Sequence, residues 1–118
     1  MVRLVSAAVV AALALAVPAQ AATHTTVLRI STAPGASMKY MTKSLNAKAG
    51  TVKIVMKNAS LLPHNVAIKG NGVHAKGKVV PKGGTSTVSV RLKPGRYQFY
   101  CSVPGHEQAG MKGTLVVR

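Results

Sequence analysis

The chain has 118 residues, 16 of them Lys or Arg and one acidic, Glu107, for a formal charge of +15. That length holds one small domain, and the single Cys excludes an internal disulfide. With three Tyr, one Phe and no Trp, the chain lacks an aromatic series for stacking bases, which argues against nucleic acid as the partner of all this charge.

The first 21 residues read as an export leader. Arg3 supplies a short positive start, Leu4 to Val17 an apolar stretch of about fourteen residues, and Ala19-Gln20-Ala21 a small-residue cleavage site. The stretch is short for a membrane span; an uncleaved anchor is the competing reading. Residues 1–21 are thus expected to be a signal peptide that is removed, and 22–118 the exported domain, periplasmic or extracellular. Cleavage after Ala21 would also leave Ala22-Thr23-His24 with a free amine. An amine, two deprotonated amides and the His24 imidazole make a square-planar site for Cu(II) or Ni(II).

Beyond the leader the chain alternates strands and turns. Thr25 to Ser31 is a first strand, followed by a Pro34-Gly35 turn and an extended piece over Ser37 to Met41. Lys48-Ala49-Gly50 turns into Thr51 to Lys57, where Val52, Ile54 and Met56 alternate with lysines at the period of a half-buried strand. Asn58 to Pro63 reads as a loop and Asn65 to Ile68 as a short strand. Gly70 to Gly84 is glycine-rich and, by composition, the least ordered part. Thr85 to Leu92 alternates again, with Val88, Val90 and Leu92 on one face. Lys93-Pro94-Gly95 then leads into Arg96 to Cys101, which puts Tyr97, Phe99 and the Cys101 thiol on the core side. Gly113 to Val117 is the last strand. Seven or eight short strands with no long helical period predict an all-β fold, an antiparallel Greek-key β-sandwich without a second domain.

Cys101, His106 and Met111 stand at a C-x4-H-x4-M spacing, with Pro63-His64-Asn65 upstream. One thiolate and two imidazoles suit copper in both oxidation states, and a thioether adds a weak, long axial contact that tunes the potential. Singly, a buried Cys is a small hydrophobe, a Met fills core, and His64 after Pro63 is a loop residue. Together His64, Cys101, His106 and Met111 form the ligand set of one mononuclear copper site, and a metal ligand accounts for an unpaired thiol in an exported protein. Zinc also accepts a His, Cys, His set, but the Met fits copper better. A binuclear copper centre needs a second Cys. His74, in the glycine-rich loop, is expected at the surface.

The segments Tyr97 to Leu115 and Leu62-Pro63-His64-Asn65-Val66, with the turn and strand from Lys48 to Val52, resemble the cupredoxins, the type 1 blue copper proteins that include plastocyanins and azurins. The resemblance covers nearly all of the mature chain. It implies His64 and His106 as ligands through the ring nitrogen nearer the backbone, Cys101 as the thiolate and Met111 as the axial thioether. Asn65 resembles the position that ties the two ligand loops together and hydrogen-bonds toward the Cys sulfur. The gap between Cys101 and His106 is azurin-like, whereas Pro63 before the first His is plastocyanin-like. Azurin's disulfide and plastocyanin's acidic patch are both impossible here.

The expected function is that of an exported, monomeric one-electron carrier and not an enzyme, since two of the four His are already committed to the copper. Leu61, Leu62, Pro63, Val103, Pro104 and Ala109 are expected to form an apolar rim around His106, the electron exit that the resemblance implies. The alternative is a copper-delivery protein without an electron-transfer role. The charge implies redox partners with an acidic docking surface, or peripheral contact with an anionic envelope surface.

Overall fold

The computed structural model of the protein describes residues 7–12 and 24–118. The cleavage bond after Ala21 and the Ala22-Thr23 pair of the proposed amino-terminal site lie outside them; His24 is exposed. The described residues form eight strands, β1 (Thr25–Ser31), β2 (Ser44–Ala47), β3 (Gly50–Lys57), β4 (Ala67–Gly70), β5 (Val73–Lys76), β6 (Thr85–Leu92), β7 (Gly95–Tyr100) and β8 (Lys112–Val117). They make two sheets, in the orders β1-β3-β6 and β2-β8-β7-β4-β5.

Alternation decides which side chains fill the space between the sheets. Val52, Ile54 and Met56 of β3 are fully buried, Lys53 and Lys57 exposed. Val88 and Leu92 of β6 lie beside them in the same sheet, and Tyr97 and Phe99 of β7, with Cys101 just after it, close the core from the other sheet, as the period-2 reading requires. Gly113 sits opposite Phe99 in the β7–β8 register. A Cβ there would run into the Phe99 ring and the Lys43 carbonyl, so glycine lets β8 cross the ring.

The sandwich is as predicted, with refinements. β1 and β3 pair in parallel, as do β2 and β8, while the remaining ladders are antiparallel. The parallel β1–β3 pair arises because the chain leaves the first sheet after β1, lays β2 on the edge of the other, and returns. β2 was not foreseen: four residues, SLNA, are too few for a period to show. Of the segment Ser37 to Met41 only Tyr40 pairs, in an isolated bridge to Thr32, and the fourth strand starts at Ala67 rather than Asn65. The glycine-rich stretch contains β5, joined to β4 through Asn71 and Gly72, both at positive φ (49° and 79°). That Asn-Gly pair is the signal of a tight hairpin turn.

The loops after β1, β3, β5 and β7 gather at one end of the sandwich, and they carry the candidate ligands.

Candidate metal centre

His64 is fixed before its ring is considered. Its N–H donates to the Val80 carbonyl at 3.1 Å and its carbonyl accepts from Val80 N at 2.9 Å, which clips the loop after β3 to the loop before β6. The ring is fully buried, and Nε2 lies 2.9 Å from the Ser37 carbonyl. A carbonyl only accepts, so Nε2 carries the proton and Nδ1 keeps its lone pair.

The other three residues belong to one loop. Cys101 follows directly on β7 and is buried; Met111, also buried, precedes β8. Cys101 N donates to the Met111 carbonyl at 3.1 Å and Met111 N to the His106 carbonyl at 3.0 Å, so the loop's two ends are bonded to each other and to its middle. Gly105 and Gly110, at φ 85° and 102°, make the reversals on either side of His106 and Ala109.

These constraints bring three donors together. His64 Nδ1 and His106 Nδ1 are 3.0 Å apart, and Cys101 Sγ lies 3.9 Å from the first and 3.6 Å from the second. Burial lowers the His64 pKa; the Ser37 carbonyl opposes the shift and His106 adds to it. The His64 ring is therefore held toward its neutral form, with the Nδ1 lone pair directed at the second imidazole, where a cation could also be bound. Burial pushes the Cys101 thiol up, while the backbone N–H groups of Asn65 and Val103 pull it back. Those N–H groups are donors suited to a sulfur that carries charge. A soft thiolate, two imidazoles and a neighbouring thioether are the donor chemistry of copper, so the residues present fit the ion.

Asn65 ties the ligand loops together as the resemblance implied. Its Oδ1 accepts from Ser102 N at 2.7 Å, and its Nδ2 donates to Ser102 Oγ at 2.7 Å and to the Gly77 carbonyl at 3.0 Å. The backbone N–H of Asn65, not its side chain, is what lowers the Cys101 pKa, together with that of Val103. Further supports were not legible in the sequence. Tyr40 Oη donates to the Asn65 carbonyl at 2.6 Å, and burial raises its pKa well above the phenol range, with Cys101 and Tyr100 adding to the shift. Ser60 Oγ contacts the same Ser37 carbonyl that receives the His64 proton. Around it, Asn58 and Thr32 bond each other and the backbone of residues 59, 60, 62 and 80. No spacing encodes these contacts, and Ser37 acts through a backbone carbonyl that any residue would supply.

Outside the ligands, Leu61 is 64 % exposed, Pro63, Pro104 and Ala109 are exposed, and Leu62, Val103 and His106 are half-buried. Exposure of these residues is what a rim needs, and Val103 also packs on the core. His74 is exposed, as expected, yet its Nε2 meets the Tyr100 hydroxyl.

A sequence profile of copper binding proteins of the plastocyanin/azurin family matches residues 27–118. The chain belongs to the plastocyanin/azurin family of copper-binding proteins. No curated protein matches it. Among solved structures it is similar to a dithionite-reduced auracyanin from Roseiflexus castenholzii, with a TM-score of 0.69 and 24 % identity over 79 % of this chain and 97 % of that one. Auracyanin A from Chloroflexus aurantiacus, a blue copper protein, gives 0.67 at 22 % identity over 80 % and 100 %. An azurin from Methylomonas sp. strain J gives 0.63 at 18 % over 78 % and 97 %. At these identities the structures bear on the fold alone, and all are cupredoxins. Family and donor set together make copper the cofactor of this cupredoxin.

Proposed function

We propose that this cupredoxin is an exported one-electron carrier whose copper ligands are His64, Cys101, His106 and Met111. When bound, the copper supplies a one-electron couple between Cu(I) and Cu(II). The observation that supports this reading is that the donors already converge, with both Nδ1 atoms and Sγ within 4.8 Å of one another. His64 is held at its N–H, its carbonyl and Nε2, and the loop from Cys101 to Met111 is closed by its own hydrogen bonds. Donors that do not rearrange keep the barrier to electron transfer low, because little has to move when the charge changes. His64, Cys101 and Met111 exclude water, while half-buried His106 gives the electron its edge to the outside. The same clamps disfavour a delivery role, which needs donors that open. Residues 1–21 would be the leader and 22–118 the working domain, outside the cytoplasm, docking to redox partners with acidic surfaces through the positive charge.

Adding Cu(II) to the purified domain should give an intense blue or green colour from thiolate-to-copper charge transfer, absent in Cys101→Ser. Reversible voltammetry together with slow loss of copper to a chelator is expected. A colourless protein that retains only zinc would overturn the copper assignment, and fast copper loss without reversible voltammetry would favour delivery.

A further inference from the structure

The outer face of the five-stranded sheet carries a groove of about 560 Å³ that the copper chemistry does not use. Its lining includes Lys69 of β4, Arg96 and Gln98 of β7, and Lys112 and Thr114 of β8. Register explains the gathering. Lys69 and Thr114 flank Gln98 on its two sides, and Lys112 pairs with Tyr100, four positions along β7 from Arg96. At ~3.4 Å per residue, Arg96 and Lys112 thus stand about 14 Å apart along the strand, with two neutral hydrogen-bonding side chains between them. Their partner chemistry is equally constrained, because Glu107 is the one acidic residue of the chain. It lies beside the groove, where it accepts from Lys69 Nζ at 2.6 and 2.8 Å and from Gln98 Nε2 at 3.1 Å. Lys69 Nζ also sits 4.4 Å from the centre of the Tyr100 ring. No carboxylate side chain is left for Arg96.

We propose that this groove is a binding site for a small polyanion of the phosphate class, lying along β7 with one anionic end on Arg96 and the other on Lys112. Arg96 offers a planar fork that matches phosphate oxygens, Lys112 a point charge, and Gln98 and Thr114 hydrogen bonds to the oxygens between. A concave strip with cations at its ends and neutral donors in its middle suits an extended anion better than a single ion. Glu107 is the internal competitor, for it already holds Lys69 and one N–H of Gln98, and its charge reaches Lys112.

The test uses inorganic tripolyphosphate as probe, titrated into the diamagnetic Cu(I) protein in phosphate-free buffer, with amide chemical shifts and calorimetry as readouts. Saturable one-to-one binding is expected, with shifts centred on Lys69, Arg96, Gln98, Lys112 and Thr114. Arg96→Gln and Lys112→Gln should each weaken it about fivefold, the upper end for an exposed ion pair. Lys53→Gln, which removes the same charge from the other sheet, should leave it within about twofold, and Glu107→Gln should tighten it by freeing Lys69. Equal losses in all three cation variants, or shifts spread over both sheets, would reduce the effect to net charge and overturn the proposal. So would the absence of saturable binding. Tighter binding of polyglutamate with the same shifts would make the groove a docking surface for an acidic protein and overturn the small-ligand assignment.

Discussion

Replacing Asn65 by Ala separates the two ligand loops without touching a ligand. The side chain is 1 % exposed and makes three hydrogen bonds, two to Ser102 and one to the Gly77 carbonyl. Each buried bond is worth about 1 kcal/mol net, and a buried partner left unpaired costs more, so the loss should be about 3 kcal/mol. Against a total of ~5–15 kcal/mol that is a large fraction, equivalent to roughly 12–24 °C in Tm for a domain of this size. Ser102→Ala provides the scale. It removes only the Ser102 Oγ contact and keeps the bond from Ser102 N to Oδ1, so it should cost about 1 kcal/mol. Urea unfolding of the metal-free proteins measures both. Because the variants share a partner, the double mutant should cost less than the two singles added together. If Asn65→Ala is no worse than Ser102→Ala, the bonds to Ser102 N and Gly77 carry nothing, and the loops are held together by something else.

Three other expectations follow from the geometry. Met111→Leu should keep copper and colour but raise the reduction potential, since losing a weak donor disfavours Cu(II) more than Cu(I); an unchanged potential and spectrum would mean that Met111 does not touch the metal. Gly113→Ala should destabilise the fold by about 3 kcal/mol or more, because the added methyl meets the fully buried Phe99 ring and a backbone carbonyl that cannot yield together; a near-normal denaturation midpoint would contradict the packing. Burial raises the Cys101 pKa, with the N–H groups of Asn65 and Val103 only partly opposing it. A folded-state pKa above the unfolded value contributes stability below ~8.5 that is lost as pH rises through the folded value. The metal-free protein should therefore weaken in alkali more than Cys101→Ser does, as measured by denaturation from pH 7 to 10.

Much of the architecture was legible because it rests on alternation. β1, β3, β6, β7 and β8 each carry enough period-2 contrast to be placed within a residue or so, and burial follows it. β2 and β5 were missed for a common reason: four residues paired at a sheet edge need no strong pattern, since their neighbours specify them. The donor set was visible in the spacing from Cys101 to Met111 and in His64, whereas its scaffold was not. Ser37 contributes a carbonyl and Asn65 a backbone N–H that lowers the Cys101 pKa, and backbone groups leave no trace in residue identity. Tyr40 and Ser102 act through contacts 25 and 37 positions away, which become readable only once the topology is known.

The place of β8 has a consequence in time. It is the last of the eight strands in chain order, yet it lies inside the five-stranded sheet, between β2 and β7. Ser44 of β2 must wait for Thr114 before it has a neighbour, and Met111 is carried into place by the same strand. A chain with such long-range closure folds late and as a whole rather than piece by piece during synthesis. The four proposed donors therefore come together only after β8 has emerged, so a growing chain holds no finished copper cage until its last strand has paired.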